Sequence, residues 1–325
     1  MINELHPGDL LDHYRIENLV ASSGMSTIFR GIDLRTQRAV ALKIPHFEME
    51  CNPLFFDRFH REAEIGRKLD HPGVVKVLPA DDPSRVYMAM EWVEGRPLRT
   101  LLDEKKKIPI DRAVRITLRV CETLDYIHRQ DVVHRDLKPD NIMVDAEDRI
   151  KLIDFGIARA PGFRRLTFGK LTKTMGTPDY ISPEQVSGKR GDARCDVYAL
   201  GVMLYEMLTG EVPFRSPHPL AAMNQRLLHN PQPPSRLNSE IPAPLQAAIL
   251  CALEREPKNR YASARDFAHV LENPHEFVAR EEPSNATAPS PQMNFLPEKE
   301  ALPYYLLLIV PVIIFALLLF VARRP

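Results

Sequence analysis

The segment VVHRDLKPDNIMV, residues 132–144, places a carboxylate, an ammonium and an amide within six positions, and IDFG follows at 153–156. Transfer of a phosphoryl group asks for little covalent help from a protein; it asks for positioning and charge compensation. Asp136 offers a carboxylate that orients an incoming hydroxyl and accepts its proton. Lys138, two residues on, is within reach of the transferred phosphate. Asn141 and Asp154, thirteen residues apart, supply the hard oxygen ligands that Mg2+ prefers.

Eight contiguous residues, HRDLKPDN (134–141), with the DFG triplet at its spacing, resemble the protein kinase family. Lys138 after the aspartate is similar to its Hanks-type Ser/Thr branch, and the whole chain looks like a bacterial membrane-anchored form. The resemblance implies a lysine on the third strand paired with a glutamate on the next helix. VALK supplies Lys43 and HREAE supplies Glu62, nineteen residues later. Lys43 is then expected to hold the α- and β-phosphates of ATP while Glu62 neutralises and aims it. Glu64 lies about 200° further round a helix and is expected to face solvent.

Beyond the DFG triplet, GTPDYISPEQ (176–185) resembles the end of an activation segment, with Ser182-Pro183-Glu184 in place of Ala-Pro-Glu. There the resemblance implies that Thr177 hydrogen-bonds near the catalytic aspartate and that Asp196, in DVYALG, is buried and fixes the catalytic loop. It also implies an ion pair between Arg260, in PKNRY, and Glu184. Arg135 is expected to pair with a phosphate on the activation segment, with Thr172 and Thr174 as the acceptors and Thr167 as a third. The resemblance covers residues 14–272.

The stretch LVASSGMSTIFRG (19–31) departs from that pattern. The three loop glycines of the family fall on Ala21, Ser23 and Ser26, and only Gly24 survives. Glycine permits close backbone approach and positive φ, so a cost to nucleotide affinity or loop closure of about 1 kcal/mol per strained position is expected. A serine hydroxyl can also donate to phosphate. The adenine pocket stays apolar: Val20 and Ile28 as roof, Ala41 as back, Met143 as floor and Met90 as gatekeeper before the hinge Glu91–Val93. With Ser23, Gly24 and Lys43 these residues form the expected nucleotide site.

Several elements must hold these groups. YRIENLVA, MSTIFRGIDL and RAVALKIP read as strands, and RVYMAMEWVEG as a buried strand ending in a turn. In FFDRFHREAEIGRKL, Phe55, Phe59, Glu62, Gly66 and Leu69 share one helical face. Ala113, Ile116, Val120, Leu124 and Ile127 repeat at helix spacing. The fold class is α+β and bilobal: an N-terminal leader at 1–13, then a domain at 14–272 with a small β-rich lobe at 14–91 and a larger helical lobe at 95–272.

Residues 273–303 contain six prolines and read as an extended linker. Residues 304–322, YYLLLIVPVIIFALLLFVA, carry no charge and approach the length that spans a ~30 Å hydrocarbon core. They read as a transmembrane helix in contact with lipid. The need for ATP places the domain in the cytoplasm, against the bias of Arg323 and Arg324 after the span. No secretory signal is evident, and four scattered cysteines fit a reducing compartment. Equal counts of 43 basic and 43 acidic residues argue against nucleic acid as a partner.

The expected function is ATP-dependent phosphorylation of protein Ser/Thr hydroxyls with Mg2+, Mn2+ being the alternative ion, and autophosphorylation in the activation segment; a homodimer is a candidate state. The alternative is a membrane-tethered pseudokinase that binds nucleotide as a scaffold, motivated by the lost glycines. A small-molecule kinase fits less well, because GTPDYISPEQ resembles a peptide-docking surface.

Overall fold

In a computed structural model the chain is described at residues 5–50, 52–79, 83–154 and 178–273. The linker after Asn273 and the apolar segment 304–322 lie outside the described residues, and among the described ones no helix is long and apolar enough to cross a membrane. Strands β1 (Leu10–Leu11), β2 (Tyr14–Ser22), β3 (Ser26–Asp33), β4 (Arg38–Pro45) and β5 (Met88–Glu91) form one antiparallel sheet in that order. Side chains alternate between its faces. Val40, Leu42 and Ile44 join Tyr14, Ile16 and Phe29 in one apolar cluster. Ala41, on the other face, packs with Met88 and Met90.

The region read as a leader begins this lobe. Leu10 and Leu11 pair with Arg15 and Tyr14, Leu11 is buried, and the Tyr87 hydroxyl donates to Asp12 Oδ2 at 2.7 Å. Two apolar residues are too few to display an alternating pattern, so the strand is invisible without its partner.

Helix α1 (Phe47–Glu50) leads into α2 (Pro53–Lys68). The apolar face of α2 turns Phe59, Glu62 and Ala63 inward and leaves Glu64 exposed, as its spacing implies. Gly66 is there for closeness: a Cβ would lie 2.4 Å from Val77 Cγ2.

The second lobe combines a small sheet, β6 (Arg96–Pro97), β7 (Ile142–Val144) and β8 (Ile150–Leu152), with helices. These are α3 (Leu98–Lys105), α4 (Ile110–Arg129), α5 (Pro183–Val186), α6 (Ala193–Thr209), α7 (Pro219–Leu228), α8 (Ala243–Ala252) and α9 (Ala264–Glu272). The five periodic residues of α4, from Ala113 to Ile127, are all fully buried. Helix α6 is buried on every side from Cys195 to Thr209, as an all-round apolar helix must be. It ends where Gly210 takes φ +80°.

Two buried charges tie the loop 132–141 and the turn after it to this core. Asp196, 1% exposed on α6, accepts the backbone N–H groups of His134 and Arg135, each at 2.8 Å, and lies 2.8 Å from His128 Nε2. This clamp holds Arg135 at φ +64°, a left-handed conformation that a side chain disfavours. Glu184 receives two hydrogen bonds from Arg260, at 2.8 and 2.7 Å, and the other guanidinium N–H groups go to carbonyls of Glu254, Arg194 and Arg255. Both pairings match the sequence expectation. Breaking a buried pair by removing one partner costs about 3–5 kcal/mol, so these contacts determine whether the segment keeps its shape.

Burial alone would raise the Asp196 pKa; the bond and charge of His128 and the two backbone donors outweigh it and hold the group below its ordinary value. A depressed folded pKa gives stability that is complete above the unfolded value of about 4 and lost as pH falls through the lower folded one. Asp196→Asn is therefore expected to lower the urea midpoint at pH 7 and to flatten the acid limb of stability below pH ~4. An acid limb in the variant as steep as in the parent chain would contradict this role.

Candidate active site

Strand alternation sends Lys43 to the face opposite Leu42, and the register sets it against Ile28 on β3 and Met88 on β5. Its Nζ donates to Glu62 Oε1 at 2.9 Å and to Asp154 Oδ1 at 3.1 Å. Burial would lower the Lys43 pKa, but Asp154 and Glu62 together raise it, so the ammonium persists. One cation then serves two carboxylates. Desolvation, with the charge of Asp154, outweighs Lys43 and pushes Glu62 up, while Lys43 and the hydrogen bonds hold Asp154 down against its own desolvation. With Glu62 pushed toward its neutral form, Lys43 and Asp154 balance one another, and Asp154, held ionised, keeps a carboxylate on offer to a divalent cation.

Asp136, Lys138 and Asn141 come from the clamped loop. Lys138 Nζ lies 3.6 Å from Asp136 Oδ2. Asn141 Nδ2 donates to the Asp136 carbonyl at 2.8 Å, and the Asn141 carbonyl accepts from Ile153 N at 3.0 Å. That second bond places Asp154 one residue past a fixed point beside the loop. Nδ2 being committed, Oδ1 is the asparagine atom on offer to a cation. A carbonyl-type oxygen and an ionised carboxylate are a fitting donor set for Mg2+, which completes its shell with water and phosphate oxygens.

The apolar pocket assembles in part. Met90 is buried, and Ala41, Val93 and Ile153 pack on the cluster that it forms with Met88, Phe59 and Ala63. Ile28 and Met143 are half-buried, and Val20 is 46% exposed at the rim. The Glu91 carboxylate turns to Lys151 Nζ at 2.6 Å and to the Lys76 N–H at 2.9 Å, bracing the hinge.

Ser23 and Gly24 sit exposed at the tip of the β2–β3 hairpin. The expected strain is absent: none of Ala21, Ser23 and Ser26 takes a positive φ. The reason is local. Ser23 Oγ accepts from Met25 N at 3.2 Å and Ser26 N at 3.1 Å and donates to Ser26 O at 3.0 Å, closing the turn without a left-handed residue.

Arg135 lies near Arg190, and burial together with that second cation holds its pKa below the ordinary value. Two guanidinium groups so placed suit an anion. Thr167, Thr172, Thr174 and Thr177 lie outside the described residues, so their relation to this pair is an expectation only.

Sequence reasoning missed the groups behind the turn Pro178–Tyr180. Tyr180 donates its hydroxyl to Glu206 Oε2 at 2.5 Å, and Arg99 Nη1 donates to Glu206 Oε1 at 2.9 Å and to the Tyr180 oxygen at 3.1 Å. Arg226, fully buried on α7, donates to the carbonyls of Pro178 at 2.6 Å and Ile181 at 3.1 Å. These partners are 26 to 107 residues apart, a distance over which spacing carries no signal.

Comparison with known proteins agrees with this geometry. The family model described as a protein kinase domain matches residues 14–275. The chain is 37% identical over 286 residues to the serine/threonine-protein kinase PknB of Mycolicibacterium smegmatis, covering 86% of this chain and 46% of that one. It is 37% identical over 271 residues to a probable serine/threonine-protein kinase of Streptomyces coelicolor, covering 82% and 40%. The chain thus spans about half the length of the curated relatives it matches. Among solved structures, the PknI kinase domain of Mycobacterium tuberculosis superposes with a TM-score of 0.65 at 26% identity, over 83% of this chain and all of that one. Rad53 in complex with AMP-PNP gives 0.64 at 26% identity, over 79% and 64%. With its bilobal fold and the pairing of Lys43 with Glu62, the chain belongs to the protein kinase family.

Proposed function

We propose that this chain is a serine/threonine protein kinase that uses ATP and a divalent ion, Mg2+ or alternatively Mn2+. The observation that carries the reading is the convergence of Lys43, Glu62 and Asp154, which are 19 and 111 residues apart from the lysine, within 2.9 and 3.1 Å of its Nζ. Lys43 binds the α- and β-phosphates, and Glu62 keeps its ammonium aimed. Asn141 and Asp154 hold the metal ion, which supplies neutralisation of charge on the phosphates when bound. Asp136 orients the substrate hydroxyl and takes its proton at a carboxylate oxygen, and Lys138 meets the transferred phosphate. Ala41, Val93, Met90 and Met143 bind the adenine. Helix α6 supports the whole through Asp196.

The substrates on this reading are proteins bearing Ser or Thr, docked against the turn that Arg226 and the Tyr180–Glu206–Arg99 network support. Phosphate on Thr172 or Thr174, with Thr167 as a third site, docks on Arg135 and orders the segment; Thr177 faces the catalytic aspartate. The domain spans 14–272 together with β1, followed by the linker 273–303 and an anchor at 304–322 that contacts lipid and leaves the domain in the cytoplasm. A homodimer is part of the proposal only as the arrangement in which one copy phosphorylates another.

In an assay with radiolabelled ATP, magnesium and a generic protein acceptor, the parent chain is expected to label serine and threonine. Asp136→Ala is expected to lose about 10²–10⁴-fold of that rate. Peptide 171–175 should carry phosphate after incubation of the parent chain alone. Equal background labelling by both chains, with nucleotide binding intact, would favour the scaffold reading. For the anchor, the full chain is expected to stay with membranes after alkaline extraction, and deletion of 304–322 to release it. Release of the undeleted chain would reject the span.

A further inference from the structure

The hairpin tip holds a pair of backbone donors that are already occupied. Consecutive N–H groups that converge on one point make an anion-binding concavity, and a phosphate oxygen is its natural occupant. At this tip the point of convergence of the Met25 and Ser26 N–H groups is Ser23 Oγ, at 3.2 and 3.1 Å. The Ser23 hydroxyl is held there from its other side, because it donates to Ser26 O at 3.0 Å, and Ser23 N donates to the same carbonyl at 2.9 Å. The turn is pinned to the sheet as well: His46 N donates to Met25 O at 2.9 Å, and Ser26 pairs with Pro45, two residues along β4 from Lys43.

We propose that Ser23 is a positioning residue that acts as an internal latch, its hydroxyl standing where an oxygen of the bound triphosphate would otherwise be taken by the Met25 and Ser26 N–H groups. The inference rests on the nucleotide reading above and sharpens it. A residue without a side-chain acceptor at this position leaves the two donors to the ligand. Serine makes the ligand compete with a local acceptor that is always present, so the chain binds nucleotide more weakly than its backbone permits. The loss does not come from backbone strain, since Ser23 has none of the positive φ that would create it. It comes from hydrogen bonds already made. Two exchanged hydrogen bonds of ordinary net strength correspond to an effect of about 5- to 150-fold.

The test uses the full chain and its Ser23→Ala and Ser23→Thr variants. Affinity for MgADP and for a non-hydrolysable MgATP analogue is measured by calorimetry, and exchange of the Met25 and Ser26 amide hydrogens by NMR without nucleotide. Ser23→Ala is expected to bind the triphosphate about 5-fold or more tightly than the parent, to exchange both amides faster when free, and to lower KM for ATP without moving KM for the protein substrate. Ser23→Thr, which keeps the hydroxyl, should match the parent. Equal affinity in parent and alanine variant overturns the latch and leaves the kinase reading standing. Weaker binding by the alanine variant also overturns it, because the hydroxyl would then be a donor to phosphate. Absence of nucleotide binding in all three chains overturns the nucleotide reading itself, and the latch with it.

Discussion

The site depends on one ammonium shared between two carboxylates. Lys43 comes from β4, Glu62 from α2, and Asp154 from the end of the segment after β8, and each is delivered by a different part of the fold. Lys43 and Glu62 are too buried to stand unpaired, since an unpaired buried ion costs several kcal/mol and tends to neutralise, and Asp154, its side chain 43% exposed, is the second partner of the ammonium. Their mutual neutralisation is therefore a condition on the relative placement of sheet, helix and second lobe. Asp154, held ionised beside Asn141, keeps carboxylate oxygen for the divalent ion that a bound triphosphate carries.

Rigidity elsewhere serves this convergence. Asp196 fixes the loop that carries Asp136 and Asn141 through two backbone N–H groups, and Glu184 with Arg260 fixes the turn that follows. The chain from Gly73 adds a third support: Leu152 N donates to Gly73 O at 2.8 Å, and a Cβ on Gly73 would meet Thr123 Oγ1 at 2.0 Å. The loop therefore packs tightly on α4 and holds β8, two residues before Asp154. By contrast, the hairpin tip at Ser23–Ser26 is held by its own turn, by the bond from His46 N to Met25 O and by the pairing of Ser26 with Pro45 at its base. The molecule thus pairs an over-determined catalytic floor with a lightly held lid.

Much of this was legible because the residues involved repeat with the period of their element or sit in one contiguous run. The resemblance implies a glutamate on α2 and the helical angle favours Glu62 over Glu64, and the five buried residues of α4 follow the helical period. The loop 134–141 is read directly because its groups are neighbours in sequence. What escaped lies outside local periodicity. Leu10–Leu11 is too short to show a pattern, and Glu91–Lys151 joins residues 60 apart. Arg226 looks like any helical arginine until its burial under Pro178 and Ile181 is seen. The missing glycines are visible in the sequence, and residue type alone predicts strain there, whereas the turn closes through a serine hydroxyl with ordinary backbone angles.

The most direct test of the central claim is the magnesium dependence of single-turnover phosphate transfer in the parent chain and in Asp154→Asn. If the shared ammonium and the ionised Asp154 beside it organise the reaction, transfer rises from background with magnesium in the parent and stays at background in the variant at every concentration. Transfer by the variant at the parent rate, with the same magnesium response, would contradict the account.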